Sequence, residues 1–301
     1  SVVYICEGAF AGKRPASEIV IPSSVKSIGP KAFYANPLIT SLTLNEGLEI
    51  IGENAFANHD NFLDVLEEYS LTLPSSIKEI GKGAFEYSGV SGEFVVPESI
   101  KAIPENMFME SPYLTSVAMH SGLTTIGVSA FEGCYALESA PLLEGLVSIE
   151  DRAFYNSSLT SVTFPSTVTH LGESAFAGTC LTEVTVPANI KTVPYHCFNS
   201  CYELKNVTLE NGVEYIEAYA FAYSGPFDSI VIPPSMKEIR SDYVFRYVDR
   251  IENFVFNATC YESDLVPCKD SSLKLNVSGR FIGIVSLSKF YLVGGKKPMA
   301  F

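Results

Sequence analysis

Leu159-Thr160-Ser161-Val162-Thr163-Phe164-Pro165-Ser166-Thr167-Val168-Thr169-His170-Leu171-Gly172-Glu173-Ser174-Ala175-Phe176 contains the pattern that decides the fold. Val162-Thr163-Phe164 alternates apolar, polar, apolar, the period of a short half-buried strand. Pro165 removes a ladder donor and ends it. Val168 and Leu171 point inward three residues apart, Gly172 supplies a turn, and Ala175-Phe176 returns a small and a large residue to the core. The strand-and-proline signature recurs in Ile19-Val20-Ile21-Pro22, Leu71-Thr72-Leu73-Pro74, Phe94-Val95-Val96-Pro97, Val184-Thr185-Val186-Pro187 and Ile230-Val231-Ile232-Pro233.

The small residue followed by Phe recurs as well, as Ala-Phe at Phe10, Phe33, Phe56, Phe85, Phe131, Phe154, Phe176 and Phe221, with looser versions at Met107-Phe108, Cys197-Phe198 and Val244-Phe245. Successive differences are 23, 23, 29, 23, 23, 23, 22, 22, 23 and 24. One such unit cannot bury its own apolar edge, whereas stacked units bury a continuous strip, so the pattern predicts a solenoid. Each coil is expected to place one short parallel strand on a common face, about 4.8 Å from the next. Turns and short 3₁₀ pieces are expected on the return side, which is too short for a long helix. The single long step inserts six residues near 57–70, where Phe62, Leu63, Val65 and Leu66 fall on one side of a helix. Two readings stay open for it, a tolerated extra turn and a binding element. After Phe245 the pattern decays. Residues 1–248 are therefore about eleven coils, and 249–301 a strand-rich C-terminal cap or the start of a further module. Phe254-Val255-Phe256, Phe281 to Val285 and Phe290 to Val293 are its candidate strands.

These residues carry a resemblance. A leucine, a strand ending in Ile-Pro, then Val-x-x-Ile-Gly-x-x-Ala-Phe-x-x-Cys is similar to the BspA-type leucine-rich repeat. It appears as Val25 through Phe33 and as Leu123 through Cys134. The resemblance covers roughly residues 4 to 248 and implies a leucine-rich-repeat solenoid, mainly β. It also implies a surface or secreted protein that binds host proteins or other cells.

Composition narrows the function. Twenty Lys+Arg against 34 Asp+Glu give a net charge of −14. That argues against nucleic acid or an anionic membrane surface as partner, because both recruit basic patches. No window approaches the roughly 18 apolar residues of a membrane span, so no membrane insertion is expected in this segment. The four histidines, His59, His120, His170 and His196, occupy different phases of the repeat and do not converge. No P-loop and no nucleophile elbow is present. Neither an enzyme nor a metal or other cofactor is expected. The repeated Gly29, Gly52, Gly81, Gly127 and Gly172 read as turn geometry.

Cysteines divide by position. Cys134 and Cys201 sit three residues after an anchor Phe, and Cys197 one before, all core slots suited to small apolar packing. Cys180 is placed to lie beside Cys201. Cys260 and Cys268 bracket a loop outside the repeats and form the candidate disulfide, should the protein be exported. No signal peptide or anchor is visible, although the family resemblance implies an extracellular or cell-surface location.

The predicted strand face reads column by column as hydroxyl-rich, mildly acidic and free of Lys, Arg and aromatic platforms. Its candidate protein-binding residues are Ser70, Thr72, Ser116, Ser161, Thr163, Glu183, Thr185, Asn206 and Thr208. The functional reading is adhesion or protein–protein interaction over a broad neutral patch, with proteins, including host extracellular-matrix or cell-surface proteins, as partners. The competing reading is an intracellular or periplasmic scaffold whose Thr and Val merely suit strands.

Overall fold

A computed structural model describes residues 2–13, 17–58, 66–241, 243–256 and 284–292, with the backbone alone for 256 and 284–292. It divides into two compact units, Ser1–Leu159 and Thr160–Phe301. Both are parallel β-solenoids whose coils present three ladders to their neighbours.

The first ladder is the expected strand face. In the second unit Glu183–Val186, Asn206–Leu209, Phe227–Ile232, Val248–Phe256 and Ile284–Leu292 form one parallel sheet in that order. The repeat sheet therefore continues past residue 248. In the first unit Glu18–Ile21 pairs with Ser41–Leu44, and Tyr69–Ser70, Val90–Val95 and Leu114–Ala118 form a second group. Alternation drives the arrangement: in Asn206–Leu209 the residues run exposed, buried, exposed, buried, so each strand puts one face into the core.

A second ladder was not anticipated. The residues before the repeated Gly, and their equivalents in other coils, form a further two-residue parallel strand, so most coils carry a second strand beside the expected one. Tyr4–Ile5, Ser27–Ile28, Ile50–Ile51 and Glu79–Ile80 form one such sheet in the first unit. Thr192–Val193, Tyr215–Ile216 and Glu238–Ile239 form its counterpart in the second. The second residue of most pairs faces inward; Ile28, Ile51, Ile126 and Val193 are completely buried. No 3₁₀ segment occurs among the described residues. The glycines that follow these pairs are not needed for a turn conformation. A Cβ on Gly52 would lie 2.6 Å from the backbone of Gly29 and Pro30, so close coil-to-coil approach excludes a side chain there.

The third ladder is built on the Phe anchors. The N–H of Phe131 donates to the carbonyl of Ala153 in the next coil at 2.9 Å, and that of Phe198 to Ala220 at 2.8 Å. The rings stack at the same interval, with centroids 5.0 to 6.0 Å apart from Phe10 to Phe154. In the second unit the spacing from Phe176 to Phe245 is 5.5 to 5.8 Å. The turn around most of the Phe anchors shares a backbone feature: the residues two before and two after it adopt the left-handed region, Asn58 after Phe56 and Tyr243 before Phe245 excepted. Lys31 and Ala35 do so around Phe33, Asn106 and Glu110 around Phe108, and Tyr219 and Tyr223 around Phe221. Only Gly adopts that region without a Cβ penalty. Ala35→Gly, at φ 59°, is expected to raise stability by about 0.5–1 kcal/mol. Ala32→Gly, at a fully buried position, should lower it. Denaturant melts of the two variants check the opposite signs.

Candidate functional site

The candidate strand-face residues fall in both units: Ser70, Thr72 and Ser116 in the first, the remaining six in the second. All are exposed except Ser116, which is half-buried. Four come into direct register, Glu183 opposite Asn206 and Thr185 opposite Thr208. These columns continue through Ser229 and Val231 to Asn253 and Val255, and the last strand adds Lys289 and Tyr291 in register, so the expected absence of Lys and aromatic residues ends there. Behind them Val184, Val186, Val207 and Leu209 are buried, which turns the polar residues outward. Ser161 and Thr163 sit one coil earlier, exposed and outside any strand. Ser116 bridges Ser139 in the first unit.

The strand face of the first unit is interrupted. Ser41–Leu44 bonds to the preceding strand but not to Tyr69–Ser70. A hollow of about 470 Å³ lies there, lined by residues that include Ser41, Thr43, Asn45, Glu46, Ser70 and Thr72. Its one carboxylate is already engaged. Glu46 accepts the Ser75 N–H at 2.9 Å and the Ser76 N–H at 3.3 Å, and the Ser75 amide above all holds its carboxyl below the usual value. Of the insertion, residues 59–65, including Asp64 and His59, lie outside the described residues. Glu67 is exposed and Leu66 buried.

The column three residues after each Phe is not simply small apolar packing. It is an internal hydrogen-bond ladder. Ser111 Oγ donates to the Phe85 carbonyl at 3.0 Å, Cys134 Sγ to Phe108 at 3.1 Å, Cys201 Sγ to Phe176 at 3.2 Å and Ser224 Oγ to Phe198 at 2.7 Å. Each satisfies a buried carbonyl of the preceding coil, which would otherwise be costly. Cys134, Cys197 and Cys201 are free and buried, whereas Cys6 and Cys180 are free and exposed. Burial pushes the Cys134 and Cys197 thiols far up and that of Cys201 up to about 11. The thiolate is the reactive form. Native labelling with a maleimide is therefore expected to modify Cys6 and Cys180 at pH 7 and to spare Cys134, Cys197 and Cys201 until denaturant is added. Rapid native labelling of Cys134, read by peptide mass, would remove the hydrogen-bonding role. Cys260 and Cys268 lie outside the described residues.

The three described histidines, His120, His170 and His196, do not meet, and His59 lies outside the described residues. His120 is buried and pins a turn, its Nε2 on the Ile100 carbonyl at 3.0 Å and its Nδ1 accepting the Gly122 N–H at 3.1 Å. His170 is exposed. His196 packs on Tyr195, with ring centroids 4.0 Å apart. Among the described residues no group of three or more His, Cys, Asp or Glu is placed to hold a metal, and no helix is long and apolar enough to cross a membrane. One surface escaped the strand-by-strand reading. The turn side of the second unit carries a row of tyrosines, legible in the columns two before and two after Phe221 and Phe245.

Three coil-to-coil ladders define a parallel β-solenoid of the leucine-rich-repeat class. The chain belongs to the BspA type leucine rich repeat region family, whose profile matches residues 1–68, 65–182, 125–252 and 170–274. Among solved structures it is similar to a leucine-rich repeat protein from Bacteroides ovatus. The two share 21% identity, with a TM-score of 0.60 over 97% of this chain and 88% of that one. A leucine rich cell surface protein from Faecalibacterium prausnitzii aligns at 18% identity and a TM-score of 0.48, over 98% and 84% of the two chains. The pneumococcal vaccine antigen PcpA aligns at 19% and 0.36, over 86% and 80%. No match was found among curated proteins.

Proposed function

We propose that this is a non-enzymatic surface or secreted repeat protein that binds other proteins, in an adhesive role, through the strand face of its coils. One observation carries the reading: the outward columns Glu183-Asn206-Ser229-Asn253 and Thr185-Thr208-Val231-Val255 stand in register. Over these four strands they make a flat area of short side chains with a single carboxylate and no convergent titratable groups. Such an area suits a broad protein contact, and an enzyme would need acid, base or nucleophile within reach of one another. Membership of a family of extracellular-type repeats supports the location, and a shallow solenoid face is the usual contact surface of repeat proteins. The partner would cross several strands, burying on the order of 1,200–2,000 Å².

The test is a binding screen of the full chain against extracellular-matrix and cell-surface proteins. A single Thr208→Ala should change affinity little. Thr163→Arg and Thr208→Arg, each placing a bulky charge on the face, should weaken binding by about tenfold or more. If a ligand is found and neither arginine alters its affinity, the strand face is not the contact surface.

A further inference from the structure

The turn side of the second unit concentrates aromatic residues at its left-handed positions, where Tyr87 is the one such aromatic among the described residues of the first unit. Gly, Asn or Ser fill many of these positions elsewhere. Around Phe198, Phe221 and Phe245 the region instead holds His196 at φ 56° and Tyr219, Tyr223 and Tyr247 each at 59°, with Tyr243 beside them outside it. Bulky residues in that region are strained, and stored strain gathers at functional sites.

The side chains form one assembly. Tyr219 and Tyr243 stack with centroids 5.4 Å apart, and Tyr223 and Tyr247 lie 4.7 Å apart. Arg246 sits between the two tyrosine columns, its guanidinium carbon 5.0 Å from the Tyr243 centroid and 4.7 Å from that of Tyr247. Its Nη1 donates to Tyr219 Oη at 3.3 Å and its Nη2 to Tyr247 Oη at 2.9 Å. Arg152, Arg240 and Arg250 each pair with a glutamate. Among the described residues no carboxylate pairs with Arg246. Both phenol oxygens accept from the guanidinium, so their own hydrogens are left to donate elsewhere, beside the three remaining guanidinium N–H groups. The result is a half-exposed set of donors without an acceptor, held rigid by stacking.

We propose that Arg246, with Tyr219 and Tyr247, is a recognition site for the carboxylate of a single acidic sugar, a site separate from the strand face. A donor-only cluster selects an oxyanion. The net charge of −14 opposes a polyanion, so the ligand carries one charge. The flanking Tyr223 and Tyr243, exposed and amphipathic, suit the mixed apolar and hydroxyl surface of a pyranose. An extended acidic peptide has less to gain, because the main-chain donors here are already spent between coils. Phe221 N–H donates to the Val244 carbonyl at 3.0 Å and Tyr223 N–H to that of Arg246 at 2.8 Å.

The experiment is titration calorimetry of the full chain with three probes: a glucuronate-terminated disaccharide, its methyl ester and a tetrapeptide containing one glutamate. The acid is expected to bind, and the ester and the peptide to bind about tenfold more weakly or not at all. Arg246→Ala should remove binding of the acid. Tyr247→Phe, which keeps the ring under Arg246 and removes only the oxygen, should weaken it several-fold without lowering the melting temperature, and Arg250→Ala should leave it unchanged. Absence of binding to the acid, equal binding of the ester, preference for the peptide, or wild-type affinity in both Arg246→Ala and Tyr247→Phe each overturns the proposal. None of these results bears on the strand face, whose arginine variants are read separately.

Discussion

Phe131→Ala is expected to destabilise the first unit by about 3–5 kcal/mol. Phe131 is completely buried, and its ring lies between those of Phe108 at 6.0 Å and Phe154 at 5.3 Å. Truncation removes both stacks and leaves a cavity that neighbouring coils cannot close, because their backbones are tied by the Phe N–H bonds on either side. Phe10 differs. It is 39% exposed and stacks on Phe33 at 5.0 Å, so Phe10→Ala should cost clearly less. In a stack where each coil touches only its neighbours, the loss depends on how many neighbours a ring has. Urea melts of the two variants read the difference, and equal losses would contradict a one-dimensional stack.

Gly81→Ala should cost about 1–3 kcal/mol through overpacking. Its added Cβ would lie 2.4 Å from the Glu53 nitrogen and 2.6 Å from the Gly52 carbonyl carbon. Both are backbone atoms, so relief requires the two coils to separate and lengthens the bond from Gly81 N–H to the Ile51 carbonyl, now 2.8 Å. Other coils place Pro104 or Glu150 in the same column, so spacing there is set locally and the loss stays finite. Gly12→Ala is the contrast. Gly12 has φ +61° with nothing within 4 Å of the added atom, leaving only backbone strain of about 1 kcal/mol. Similar melting shifts for the two variants would count against close approach as the role of Gly81.

Much of this architecture was legible because a repeat multiplies each weak signal. A single Val-Thr-Phe-Pro is ambiguous, but its recurrence beside evenly spaced Phe residues predicts the strand face and the buried ring ladder. The second strand was missed for a physical reason. Two residues such as Ser27-Ile28 carry no alternation to detect, and the pairing exists only because stacked coils place identical dipeptides side by side. The same cause hid the function of Gly52 and Cys134. Their roles, a close approach and a bond to a carbonyl of the preceding coil, are contacts between coils, invisible within one.

The candidate site was less legible. Columns through Thr185 and Thr208 follow directly from counting, and the structure places these two opposite each other. Counting alone gave Ser161 and Thr163 the same status, yet their coil forms no strand-face pairing. The tyrosines around Arg246 were overlooked because the column reading stopped at the strands. Reading the positions on either side of each Phe in the same way brings Tyr219, Tyr223, Tyr243 and Tyr247 together.

The proposed function puts a protein partner across the strand face. Alkylation protection tests it most directly, in a background where the exposed Cys6 and Cys180 are replaced by serine. Single cysteines are introduced at Thr185, Thr208 and, on the turn side, Asn199, and alkylation rates are compared with and without a protein ligand from the screen. A partner on the strand face should slow alkylation about tenfold or more at positions 185 and 208, inside a desolvated contact, and leave the rate at 199 unchanged. Protection at 199 with full reactivity at 185 and 208 would contradict it.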